Sequence, residues 1–218
     1  MATDNRYLIP PKAPLLPLPP VEYSQQYVEQ LTNTLRLYFN QIDNTNTTVL
    51  GENGAQYLEK PYGLFFSTVD QTASLANTAY TVTYPTTYLS NGISVVSSSQ
   101  ITVVHPGVYS FTVTAQVISA SASAKTLYMW INRGGTDIGY STRTITLSAN
   151  NEYAEVTWDF IIDIPNPAAD YIEMKWATTD TNMRLDAATA SAPHPGIPSV
   201  VMYATFVSPL PAVLPTPP

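Results

Sequence analysis

The chain has no cysteine, only two histidines, and nine lysines and arginines against sixteen acids in 218 residues. Without cysteine there is no disulfide framework. With two histidines the usual donors of a zinc site are missing. A formal charge of −7 and scattered basic residues exclude a phosphate-gripping surface, which needs clustered Lys and Arg. No run approaches the roughly 20 apolar residues of a membrane span. Met1 leads into acidic and proline-rich sequence rather than an apolar stretch, so no cleaved leader is expected. A Gly-x-Ser-x-Gly elbow and a phosphate loop are also missing. The expectation is no nucleic-acid partner, no membrane and no cofactor.

Charged residues make up 11% of the chain, against about 25% in an average domain. Ser, Thr, Asn, Gln and fifteen Tyr take their place, and 44% hydrophobic content is enough for a core. Composition divides the chain into five stretches. Residues 1–20 form an arm in which Pro10, Pro11, Pro14, Pro17, Pro19 and Pro20 alternate with apolar residues. Proline lacks an N–H and fixes φ, so the arm is expected to be extended, at roughly 3.1 Å per residue. Leu8, Ile9, Leu15, Leu16 and Leu18 make it oily. Such aliphatics are scarce in ordinary disordered tails. The arm therefore reads either as a docking segment on another protein surface or as a loose terminus.

Residues 21–42 read as the one substantial helix. Val21, Val28, Leu35 and Ile42 share one heptad position, and Leu31 and Tyr38 share the other, with Ser24 as a polar exception. That spacing suits a coiled-coil seam between copies. Leu37 and Phe39 widen the apolar face and suit a helix lying on its own domain, so both arrangements stay open. Residues 43–60 read as a turn-rich linker, and Asn46-Thr47-Thr48 as a chance match to a glycosylation acceptor.

Residues 61–208 read as β throughout, with short runs rich in Val, Ile, Thr, Tyr and Phe separated by Gly, Pro and Asn signals. Tyr109, Phe111, Val113, Ala115 and Val117 alternate with polar residues, as do Val156, Trp158, Phe160, Ile162 and Ile164. Alternation of this kind belongs to antiparallel sheets with one face in the core. The expected fold is mainly β, an antiparallel jelly-roll sandwich of about ten strands preceded by a proline-rich arm and one helix. Residues 209–218 form a second proline-rich tail.

Catalytic constellations are hard to assemble. His105 and His194 both sit in His-Pro-Gly turns. Asp159 and Asp163 share a strand face, but four strand residues span about 13 Å, beyond the roughly 5–9.5 Å of paired catalytic carboxyls. Asp180, Asn182 and Asp186 lack the spacing and glycine of a calcium loop. Arg133-Gly134-Gly135 reads as a hairpin turn. No catalytic or metal residue is assigned.

The stretch HPGVYSFTVTAQV, His105 to Val117, resembles the hallmark strand of the tumour-necrosis-factor and complement-q globular-head superfamily. LYMWINRGGTDI and the final SVVMYATFVS are similar to its following and closing strands. The resemblance implies a jelly roll that forms compact homotrimers with aromatics in the three-fold interface. The layout of proline arm, PLPPVEYSQQYVEQL helix and β domain resembles small structural proteins of tailed bacteriophages, carried by Leu16 to Pro20, Tyr23, Tyr27, Leu31 and Leu35 to Asp43.

Two functions follow as expectations. The first is a trimeric, non-enzymatic head decoration (cement) protein in the virion, made in the host cytoplasm. Its arms would reach the major capsid protein or another virion protein. The second is a tail-fibre or knob protein binding a host receptor or glycan through Tyr128, Trp130 and Tyr140. A secreted cytokine-like ligand and an enzyme are the remaining, weaker readings.

Overall fold

The computed structural model describes residues 12–50 and 60–210, with side chains over 12–47 and 60–210. The chain divides into two compact units, residues 1–59 and 60–218. In the first unit, residues 12–20 form neither helix nor strand, and Leu15 and Leu18 are 99% and 91% exposed. Leu8 and Ile9 lie outside the described residues. Helix α1 (Gln25–Leu50) follows.

The helix differs at both ends from the segment expected at 21–42. It starts at Gln25 because Ser24 caps it, its Oγ accepting the Tyr27 N–H at 3.4 Å. It continues through Asp43–Leu50, expected to be linker. There Thr45 Oγ1 donates to the Gln41 carbonyl at 2.9 Å, so its hydroxyl is satisfied inside the helix rather than competing with it. Of the expected seam, Val21 precedes the helix and is fully exposed, and Val28 is 43% exposed. Leu31, Leu35, Tyr38 and Ile42 are half-buried, along one stripe with Tyr27, Thr34 and Thr45.

The second unit is an antiparallel sandwich of jelly-roll type. Its strands are β1 (Tyr62–Ser67), β2 (Gln71–Thr72), β3 (Tyr80–Thr81), β4 (Thr86–Asn91), β5 (Ile93–Val96), β6 (Gln100–Val103) and β7 (Gly107–Ser119). They continue as β8 (Lys125–Arg133), β9 (Thr136–Asp137), β10 (Arg143–Leu147), β11 (Glu152–Ile164), β12 (Ile172–Thr178), β13 (Met183–Leu185) and β14 (Val200–Ser208). The count exceeds the expected ten chiefly because β2, β3 and β9 are two-residue pieces.

The first sheet runs β2-β13-β7-β14-β1-β4, with β11 on the other edge of β7. The second runs β10-β8-β12-β6-β5, with β3 on β12 and β9 on β8. In the first, β7 and β11 pair without a break from Ser119↔Glu152 to Gly107↔Ile164. The alternating residues of both strands point where the sequence pattern put them. Tyr109, Phe111, Val113, Ala115 and Val117 are fully buried, and Ile164 with them. Phe111 stacks on Phe160 with centroids 5.1 Å apart and planes 8° from parallel. From the second sheet, Leu127, Met129, Met174 and Trp176 complete the core.

The Gly-x-Tyr-x-Phe run has a packing reason. A Cβ on Gly107 would lie 2.6 Å from the Phe206 ring. That ring stands edge-on to Tyr109 at 5.5 Å, and the Tyr109 hydroxyl donates to the His105 carbonyl at 2.7 Å. The glycine admits Phe206, and the tyrosine ties the strand to the preceding His-Pro turn. Arg133 pairs with Thr136 across Gly134 and Gly135, whose φ values are +53° and +87°. Both belong to the left-handed region that a two-residue hairpin turn requires.

Candidate binding surfaces

On β8, side chains alternate between core and solvent, so Tyr128 and Trp130 both point outward from the second sheet. Ala177 lies opposite Tyr128 on β12 and contributes almost no bulk. Beyond the Gly134–Gly135 turn the chain folds back over this face. Tyr128, Trp130 and Tyr140 thereby come to line one shallow depression of about 450 Å3, with Asp137, Thr142 and Ala177. The three aromatics named from the sequence are thus brought together.

The depression is held by polar contacts. Ser141 Oγ accepts the Ile131 N–H at 3.1 Å and donates to the Ile138 carbonyl at 2.7 Å. Asn132 Nδ2 donates to Asp137 Oδ1 at 2.8 Å. That bond, then one from the Trp130 indole, keeps the Asp137 carboxyl below the usual carboxylate range. Tyr140 is fully exposed (106%) and has a φ of +62°. A non-glycine residue there is strained by about 1–3 kcal/mol, and no burial of the ring offsets it.

Across Tyr140 lies a second cleft of about 450 Å3, lined on its floor by Trp158 and on its walls by Arg133, Arg143, Asp159 and Asp163. Arg133 pairs with Asp163 at 3.2 Å. Trp158 is only 7% exposed, and its indole N–H has no hydrogen-bond partner. Both clefts share Ile138, Gly139 and Tyr140.

The first sheet presents a different outer face. Tyr62, Tyr203, Val207, Tyr153 and Ile161 are exposed there. Between them runs a strip of threonines, in which Thr112 donates to Asp159 and Thr114 meets Thr157 at 2.9 Å. At the β1–β14 end the face deepens into an apolar groove of about 730 Å3, walled by Phe66, Tyr88, Ile197, Pro198 and Val201. Arg184 joins Asp70 at 3.0 Å to Asp186 at 2.6 Å beside it. Sequence reasoning missed this groove. Its walls come from β1, β4, β14 and the 187–198 loop, and no local pattern links them.

The His105 carbonyl takes the Tyr109 hydroxyl. His194 lies in a tight turn, exchanging backbone bonds with Ser191. Asp180 pairs with Lys125 at 3.1 Å and accepts the Asn182 N–H. Asp186 is taken by Arg184. Among the described residues no group of three or more His, Asp or Glu is placed to hold a metal ion.

No protein-family model matches the chain, and no curated protein does. Solved structures do. The globular domain of zebrafish complement 1qA protein is 13% identical, covering 70% of this chain and 100% of its own, with a TM-score of 0.43. The Eiger TNF structure from S. frugiperda is 7% identical, covering 72% of this chain and 98% of its own, with a TM-score of 0.46.

Proposed function

We propose that the chain is a non-enzymatic structural protein that assembles as a homotrimer through its β sandwich and attaches to a larger particle by its proline-rich arm. The observation that carries this reading is apolar surface left uncovered in two places. One is the outer face of the first sheet, with Tyr62, Tyr203, Val207 and Ile161 exposed. The other is the extended arm, with Leu15 and Leu18 bare. A sheet face of this kind gains by meeting its own copies, since closed cyclic assemblies are the common outcome for self-complementary surfaces. An extended proline arm covers area with little folded mass and loses little entropy on docking. The particle we favour is a phage head, with the major capsid protein beneath the arm, because the arm–helix–sandwich layout resembles phage structural proteins. Two measurements test the reading. The mass of the purified chain in solution should be three times 23.8 kDa. Removing residues 1–20 should abolish binding to particles while leaving the number of subunits per assembly unchanged. A monomer, or full particle occupancy by the truncated chain, refutes it.

A second reading, a receptor- or glycan-binding knob, is favoured by one specific observation: Tyr128, Trp130 and Tyr140 line a single depression beside a carboxylate. Aromatic faces with a few convergent polar groups are what a ligand site of this kind requires. Saturable binding of the isolated protein to host cells supports it, and the two roles can coexist on opposite faces of one sandwich.

A further inference from the structure

The two clefts flanking Tyr140 share it as a common wall, and the inference drawn from them rests on the glycan reading. We propose that they form one two-part site for an oligosaccharide of at least two rings, straddling Tyr140, whose ring at the Trp130 side carries no acidic group.

Four observations lead there. First, Tyr140 is wholly exposed in a left-handed conformation, and such strain persists where the surroundings impose it and a function uses it. The loop imposes it through the Ser141 hydroxyl, which binds both Ile131 and Ile138. Tyr140 is thus placed in the lining of both clefts. Second, the Trp130 cleft combines aromatic faces with Asp137 and Thr142. Pyranose rings present an apolar C–H face and a rim of hydroxyls, which matches aromatic walls with an acceptor at the edge. Third, Asp137 is fixed by Asn132 at 2.8 Å and stays ionised at lower pH than an ordinary aspartate. It accepts hydrogen bonds from hydroxyls or an ammonium group and repels a carboxylate or sulfate. Lys175, the cation facing Asp137, is already engaged with Glu173 at 2.8 Å and Thr81 at 2.5 Å, so it does not reverse that preference.

The fourth observation extends the site. The far cleft holds Arg133 and Arg143 against Asp159 and Asp163, so its walls are balanced in charge and rich in both donors and acceptors. Trp158, more than nine-tenths buried, closes its floor. A second ring in this cleft offers its hydroxyls to the arginines and carboxylates of the walls.

The test uses the full-length protein and defined oligosaccharides, followed by calorimetry and tryptophan fluorescence. Neutral hexose or N-acetylhexosamine di- and trisaccharides should bind at least ten-fold more tightly than the corresponding monosaccharides. Analogues with a uronic acid in every ring should bind at least ten-fold more weakly than the neutral ones. Tyr140→Ala should lose about ten-fold or more of the affinity, in line with the range for loss of one aromatic stack. Asp137→Asn should narrow the discrimination against acidic sugars. Both variants should keep the wild-type circular dichroism, because each side chain is at the surface. Equal or tighter binding of acidic oligosaccharides, or monosaccharides binding as well as trisaccharides, overturns this inference while leaving a glycan site in place. Failure of every saccharide to bind overturns the glycan reading along with it.

Discussion

The two sheets share one core but turn unlike faces to the outside. The first is broad, with aromatic and aliphatic side chains on either side of a threonine strip, and deepens into an apolar groove at its β1–β14 end. The second carries a smaller depression rimmed by polar groups, because the β9–β10 connection folds over it and brings Tyr140 beside Tyr128 and Trp130. A broad apolar face suits close packing against a complementary partner, whereas a depression with fixed polar groups suits a small ligand. One sandwich can therefore divide its labour by face, and each face should be separable by mutation.

Breaking the shared core should erase both faces. Phe111 is fully buried and stacks on Phe160, so Phe111→Ala is expected to cost about 3–5 kcal/mol, measured by denaturant unfolding. Next, Tyr203→Arg places a cation on the exposed outer face of β14. Sedimentation should show loss of the trimer with the circular dichroism unchanged and saccharide binding retained. Conversely, Trp130→Ala should leave the mass unaltered and abolish saccharide binding, which sharpens the separation from the other side.

The smallest effect concerns Tyr84, whose buried hydroxyl has no partner. Burial pushes its pKa up. The folded-state value lies above the unfolded one of about 10. Its contribution is therefore complete below pH 10 and is lost as pH rises beyond that. Tyr84→Phe should be within about 1 kcal/mol of wild type at neutral pH. It should also lose less stability than wild type in thermal melts taken above pH 10.

What could be read from the sequence follows the same physics. Strands β7 and β11 were legible, since alternation over Tyr109–Val117 and Val156–Ile164 leaves no ambiguity about which face is buried. Strand β4 was not, because Thr86–Asn91 is exposed or half-buried throughout and shows no period. The helix ends were misplaced because a Ser24 cap outweighed the preceding heptad position of Val21, and because Asn and Thr after Asp43 look like linker while remaining helical. Tyr128, Trp130 and Tyr140 could be singled out as aromatics, and the outward position of the first two followed from alternation on β8. Asp137 escaped notice and Trp158 was read only as a core residue, since only the turn at Gly134–Gly135 and the closure of the sandwich place them in the linings that Tyr140 shares.

One consequence follows from the unbroken pairing of β7 with β11. Among the described residues, strand β11 has β7 as its ladder partner on one side only, so thirteen residues of backbone form an open border of the sheet. Borders of that length invite stray chains to add on, and proteins guard them with charge. Here Glu152, Glu155 and Asp159 recur along the strand, and Asp163 beyond them is paired with Arg133, so three carboxylates of like sign make uncontrolled stacking of sandwiches, edge to edge, electrostatically costly.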